Sequence, residues 1–294
     1  MTTQIDRPAT LTLDKLGPSF GAEVIGLDLR DLSDEQVVAL RAAHVEHKVL
    51  FARGQDLTDA DQVELGRRLG STTGGVTAGH PVARSEAAEH PEIYDIDSAD
   101  PEFSFSDVWH TDVTFMEKPP LGSILRAVRL PQHGGDTSWV DSQLAYESLS
   151  EPVKRLVDGL TAVHDGNREW GAYLRRREGR GNIWDGEQVT ELTPVEHPVV
   201  RVHPESGRKG LFVNPGFTSH VVGVSDAESR AILDMLFAHL TKPEHTVRHR
   251  WQAGDLALWD NRSTSHYANR DYSEKRVMRR ITLAGDKPFG PFNG

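Results

Sequence analysis

Short runs of alternating polar and apolar residues, each cut off by Gly, Pro or Asp, constrain this chain more than any other feature. Such runs occupy residues 123–130, 137–140, 198–203, 211–214, 246–251, 255–260 and 276–285, and residues 10–29 break in the same way at Gly17, Gly21 and Gly26. Alternation with period two is the pattern of antiparallel strands that bury one face. Helix signals are fewer. Ser33 with Gln36 forms a capping-box pattern, Thr58 precedes an apolar stripe that ends at Gly70, Ser150 opens a segment with Pro152, and Ser225 with Glu228 opens one running to about Leu240. Many short strands and few helices predict a mostly β domain, a sandwich or barrel with helices packed outside it. No repeat or linker divides the 294 residues, so we expect one domain over 1–294. Two segments, about 71–107 and 165–191, carry neither period and are expected to be loops that act as lids.

Composition removes whole classes of function. There is no Cys, which excludes disulfides, thiolate metal sites, iron–sulfur clusters and Cys nucleophiles. Lys and Arg number 33 against 44 Asp and Glu, a net charge of −11, which argues against nucleic acid as a partner. A small anionic substrate stays open, because it needs only a few well-placed cations. No run of eighteen apolar residues and no signal-peptide pattern occurs, so the expectation is no membrane partner and a cytoplasmic location. No Gly-x-Ser-x-Gly elbow or phosphate-binding loop is present, which disfavours serine hydrolases and P-loop enzymes.

The most informative triplet is His110-Thr111-Asp112, which follows Trp109. Residues two apart in an extended segment point to one side, so an imidazole and a carboxylate can grip one ion. With His266 as a third ligand they would form the two-histidine, one-carboxylate triad of non-haem Fe(II) oxygenases. A His-x-Asp alone is weak evidence in a chain with 14 His, and an ordinary surface turn is its plain alternative. What strengthens it is the run Arg276-Val277-Met278-Arg279-Arg280 beyond His266. Alternation sets Arg276, Met278 and Arg280 on one face, and guanidinium forks there suit two anions near a metal. A solvated basic edge strand is the competing reading. Two further readings share the triad: a jelly-roll protein that binds an anion without redox chemistry, and a zinc hydrolase.

Taken with these residues, the chain resembles the taurine dioxygenase (TauD/TfdA) family of Fe(II)- and 2-oxoglutarate-dependent dioxygenases. The resemblance runs from Leu16-Gly17 and Gly21-Ala22 to Gly285-Asp286-Lys287-Pro288-Phe289. It rests most on Trp109-His110-Thr111-Asp112-Val113-Thr114-Phe115, Gly134-Gly135-Asp136-Thr137, His197-Pro198-Val199-Val200-Arg201, Leu258-Trp259-Asp260-Asn261-Arg262 and His266-Tyr267-Ala268. It implies a double-stranded β-helix (jelly roll, cupin-like) with His110, Asp112 and His266 as iron ligands and O₂ and 2-oxoglutarate as co-substrates. It also implies that Thr137 and Arg276 hold the far carboxylate of 2-oxoglutarate, that Arg280 and His80 hold a sulfonate, and that Phe217 walls the substrate pocket. The expected reaction is hydroxylation beside a sulfonate or sulfate, giving an aldehyde with sulfite or sulfate, succinate and CO₂. The same chemistry on a carboxylate or amino-acid-like anion is the alternative. A homo-oligomer, dimer or tetramer, is expected.

The chain departs from the taurine pattern at the substrate end. Phe105 and Ser106 replace the polar residues that precede Trp-His-Thr-Asp and face the taurine amine, and Ala83 stands where a Tyr is expected. Ser106 is accordingly a substrate-binding candidate. A buried amine without partners loses roughly 1–3 kcal/mol. The substitutions lean towards alkyl sulfates or longer sulfonates.

Overall fold

The computed structural model describes residues 11–18, 20–70, 76–77, 80–82, 89–97 and 107–292. An eight-stranded sheet forms its backbone, in the order Thr12–Lys15, Ala22–Ile25, Val49–Ala52, Leu256–Asp260, Gly122–Arg129, Val277–Leu283 and Val76–Thr77, with Tyr94–Asp97 also paired to Val277–Leu283. Its pairings are antiparallel except that between Ala22–Ile25 and Val49–Ala52. A second sheet lays Thr246–His249, Thr137–Asp141 and Thr264–Ala268 side by side. Phe51, Leu125, Ala257, Trp259 and Met278 of the large sheet pack with Trp139 of the small one in a single apolar cluster. Two sheets closed over such a core make the expected jelly roll.

Helices cover the outer face of the large sheet. Asp34–His47 and Asp59–Leu69 bury Val37, Leu40, Val63, Leu65 and Leu69 against Leu50, Ile124, Leu258 and Ile281. Both begin with the capping boxes that their sequences predict, Ser33 with Gln36 and Thr58 with Asp61. Each box satisfies two amide groups that the first helical turn leaves without intrahelical partners. The helix Asp226–Leu240 starts the same way, at Ser225 and Glu228, and packs Leu233, Leu236 and Leu240 on the smaller strands. The segment that opens after Ser150 is helical over Glu151–Val157, without a side-chain cap.

Several elements differ from the reading of the sequence. Residues 198–203 are split between the strands Val195–Pro198 and Val200–Val202, since Pro198 cannot continue the ladder through its own nitrogen. The run at 276–285 is a strand only over Val277–Leu283, with a bulge between Val277 and Met278. His266 comes after the strand Leu256–Asp260 and a tight turn at 261–263, and lies inside the next strand, Thr264–Ala268. Segment 165–191 contains the helix Asn167–Arg176 and the hairpin Ile183–Trp184 with Glu187–Gln188. Among the described residues, no helix is long and apolar enough to cross a membrane.

Candidate metal centre and substrate pocket

The open end of the jelly roll joins two stretches far apart in sequence. His110 and His266 form an isolated antiparallel bridge, with His110 N donating to His266 O at 3.0 Å and His266 N donating to His110 O at 2.7 Å. The bridge sets both imidazoles on one side, their ring centroids 4.2 Å apart. Each Nε2 faces Asp112 Oδ1, at 3.8 Å from His110 and 3.7 Å from His266. One donor atom from each of the three lies within 4.8 Å of the others.

Local geometry aims these groups. The turn after His110 carries Val113 at φ 54°, a left-handed conformation that a β-branched residue adopts only under strain. Asn261 holds that turn. Its Oδ1 accepts from Asp112 N at 2.8 Å, while its Nδ2 donates to Asp112 O at 2.9 Å and to Pro120 O at 3.1 Å. His110 Nδ1 lies 2.7 Å from Val108 O, so Nδ1 carries the proton and Nε2 presents its lone pair to the centre. Gly216 packs against the same segment: a Cβ there would lie 3.1 Å from His110 Cβ.

Electrostatics suits the three groups to a cation. Burial pushes His266 down to about 3, helped by the neighbouring His110, and burial also lowers His110, so both rings are neutral. Burial alone would raise the Asp112 carboxyl. Arg280 and the imidazoles of His266 and His110 outweigh it and hold Asp112 well below the usual carboxylate range. Asp112 accepts from Arg280 Nη1 at 2.8 Å and from Ser123 Oγ at 3.2 Å. Two neutral imidazoles and one ionised carboxylate are the donor set that suits Fe(II).

Arg276 and Thr137 meet beside this cluster, outside the pocket lining. Arg276 donates through Nε to Gly135 O at 3.1 Å and through Nη2 to Thr137 Oγ1 at 3.4 Å. Thr137 Oγ1 also accepts from Trp251 Nε1 at 3.0 Å. Gly135, at φ 74°, makes room, because a Cβ would come within 3.1 Å of Arg276 Cδ.

The pocket over the cluster is lined by His80, Arg280 and Phe217 together with Tyr94, Trp170 and Glu169. Arg280 and Met278 share the inward face, and Arg279 points outward to Asp59 and Asp95, as the alternation predicts. Burial, then Arg280, pushes His80 down to about 3. Its Nδ1 accepts from Val82 N at 3.1 Å, which puts the ring proton on Nε2. Trp170 packs on the His80 ring at 4.6 Å and Tyr94 at 5.5 Å. Phe217 contacts Phe115 at 4.9 Å, and its amide donates to Asn214 Oδ1. The sequence-predicted Ser106, with Phe105 and Ala83, lies outside the described residues.

Sequence reasoning missed Asn261, Tyr94, Trp170 and Glu169. Asn261 sits in a stretch singled out only as similar to the family. The apolar spacing of Trp170, Tyr173 and Leu174 was the available signal for the helix that carries Glu169.

A jelly roll with a buried two-histidine, one-carboxylate cluster, with Arg280 on its carboxylate, has the fold and donor set of a non-haem iron oxygenase. The model of the "Taurine catabolism dioxygenase TauD, TfdA family" matches residues 12–282. An alkylsulfatase of Acinetobacter baylyi is 40% identical, the match covering 99% of this chain and 90% of that protein. An alpha-ketoglutarate-dependent sulfate ester dioxygenase of Pseudomonas putida is 41% identical, covering 96% and 93%. The crystal structure of a taurine dioxygenase from Burkholderia xenovorans aligns with a TM-score of 0.81 at 38% identity, covering 97% of this chain and 95% of that one. The chain belongs to the TauD/TfdA family of dioxygenases, which use Fe(II), 2-oxoglutarate and O₂ to oxidise small molecules.

Proposed function

We propose that this dioxygenase oxidises the carbon bearing a sulfate or sulfonate group, with alkyl sulfate esters as its main substrates. The products are an aldehyde, sulfate (sulfite from a sulfonate), succinate and CO₂. The observation that carries this reading is the pairing of a cation with a neutral donor in one pocket. Arg280 lies 2.8 Å from Asp112, and His80 presents an N–H among aromatic walls. A guanidinium fork and an imidazole N–H match the oxygens of a sulfo group. The two relatives at 40% and 41% identity, an alkylsulfatase and a sulfate ester dioxygenase, support sulfate esters over taurine.

In this reading His110, Asp112 and His266 hold the iron, while Arg276 and Thr137 hold the far carboxylate of 2-oxoglutarate. Bound iron, with 2-oxoglutarate and O₂, supplies the oxidant that hydroxylates the substrate carbon. The chain's own groups do the positioning. Arg280 and His80 fix the anionic head beside Asp112, so that the carbon next to it faces the centre. Phe217, Tyr94 and Trp170 exclude water from the walls. A hydroxyl and a sulfate on one carbon do not coexist for long: the C=O bond forms as the sulfate leaves.

We read the chain as one catalytic domain, with segments 71–107 and 165–191 as lids. His80 and Tyr94 come from the first and Trp170 from the second, which supports a role at the pocket. We place the protein in the cytoplasm as a homo-oligomer, dimer or tetramer, and the net charge of −11 supports the absence of a nucleic-acid partner. Sedimentation velocity tests the oligomer. A screen of sulfate and sulfite release across alkyl sulfates, alkylsulfonates, taurine and aryloxyacetates tests the substrate class. Sulfate from alkyl sulfates should dominate; turnover confined to aryloxyacetates overturns the reading.

A further inference from the structure

The pocket wall carries an acid that the reaction above does not use. Glu169 stands in the first turn of the helix Asn167–Arg176, beside the Trp170 that packs on His80. It lines the same pocket as Arg280, on a different element. Its carboxylate makes no hydrogen bond or ion pair with any described residue, whereas Asp112, the other acid of the pocket, is paired with Arg280. Half of the lining it shares is apolar or aromatic, with Tyr94, Ile96, Trp170 and Phe217 among it. A carboxyl half-buried among such groups without a partner lowers stability, and a Leu would pack there at less cost. Burial, followed by the charges of Asp112 and Asp107, pushes it up to about 8, the behaviour of an acid short of a cation or donor.

We propose that Glu169 sets substrate specificity by accepting a hydrogen bond from a donor, ammonium or hydroxyl, on the tail of the substrate. Arg280 takes the anionic head and Glu169 takes the tail, so the pocket reads both ends of the molecule. The neighbouring aromatic faces of Trp170 and Tyr94 add to the attraction for an ammonium. It rests on the sulfate-ester reading of the Arg280 end.

The test is calorimetric titration of the Mn(II)- and 2-oxoglutarate-loaded protein under argon with butyl sulfate and its ω-hydroxy, ω-ammonio and ω-carboxy counterparts. Above pH 8, where the Glu169 carboxyl is ionised, the wild-type protein should bind the hydroxy and ammonio tails better than the plain alkyl tail, and reject the carboxy tail. Glu169→Leu should weaken the two donor tails by about tenfold or more and leave butyl sulfate equal or tighter. Glu169→Gln should retain the hydroxy tail and lose the ammonio preference if a charge is read, and retain both if only a hydrogen bond is read. Unchanged 2-oxoglutarate affinity in both variants confirms that they fold. Affinity that ignores the tail, or shifts equally for every tail in Glu169→Leu, overturns the proposal. Aldehyde and sulfate formation by the iron enzyme from the same series separates the two readings. Sulfate release without tail dependence removes the role of Glu169 alone. Tail-dependent binding without any sulfate release removes the sulfate-ester reaction alone.

Discussion

Asn261 grips Asp112 by both edges of its backbone, accepting from its N–H at 2.8 Å and donating to its C=O at 2.9 Å. Both residues are buried, Asp112 at 3% exposure and Asn261 at 0%, so no water can replace these bonds cheaply. The amide thereby fixes the strained turn at Val113 and, through it, the direction of the carboxylate.

Removing that grip should loosen the metal without touching a ligand. Asn261→Ala removes the partner of one buried donor, Asp112 N, and of two acceptors, Asp112 O and Pro120 O, at a cost of about 1–3 kcal/mol for each group. We expect divalent-metal affinity to fall by about 10–100-fold. Titration with Mn(II), followed by electron paramagnetic resonance, measures it; an unchanged affinity would show that the turn holds its shape alone.

Arg276 and Arg280 should separate in kinetics. Arg276 meets Thr137 beside the cluster, while Arg280 lies in the pocket on Asp112. Losing a charge-assisted pair costs about 1.5–3 kcal/mol, or roughly 10–150-fold. Arg276→Leu should raise the KM for 2-oxoglutarate by that factor and leave the KM for alkyl sulfate nearly unchanged. Arg280→Leu should do the reverse. Equal effects of both variants on both KM values would refute the division of roles.

Acid stability should depend on a histidine outside the centre. His197 is buried, with Nε2 donating to Met116 O at 3.1 Å, and burial pushes it down to about 4. In the unfolded chain it titrates near 6.5. The folded state thus disfavours the proton, so its stabilisation is intact above pH 6.5 and drains away as pH falls towards 4. At pH 5 the loss is roughly 2 kcal/mol. Urea denaturation of His197→Gln across this range should show a flatter acid limb; parallel curves for variant and wild type would exclude the linkage.

Lys48 and Asp141 form a pair with both side chains at 0% exposure and Nζ 3.1 Å from Oδ2. Asp141 also caps the helix Ser142–Glu147 through Gln143 N and Leu144 N. Lys48→Met should destabilise by about 3–5 kcal/mol, because it leaves a buried carboxylate uncompensated. The double variant Lys48→Met with Asp141→Asn should recover part of that loss in thermal denaturation. Strict additivity of the two changes would argue against a coupled pair.

The jelly roll was legible because strands that bury one face write alternation into the sequence, and Ser33, Thr58 and Ser225 write their caps. Strands covered on both faces were harder to see. Val49–Ala52 is buried at all four positions and shows no alternation, so it went unread. Short spacing revealed His110 with Asp112, while His266 could be joined to them only as the third ligand such a triad needs, a choice that the arginine run beyond it strengthened. Asn261 left no local mark and Glu169 only a faint one. One acts through backbone atoms 149 residues away in the chain, and the other sits on a helix whose apolar stripe spans only two turns. Groups that act through tertiary neighbours carry no period for a sequence to display.

The central claim is an oxygen-dependent cleavage of a sulfate ester, and product analysis with hexyl sulfate tests it most directly. With Fe(II), 2-oxoglutarate and O₂, the enzyme should yield hexanal, sulfate and succinate in equal amounts, and nothing under argon. Hexanol with sulfate in the absence of O₂ would mark a hydrolase and contradict the account.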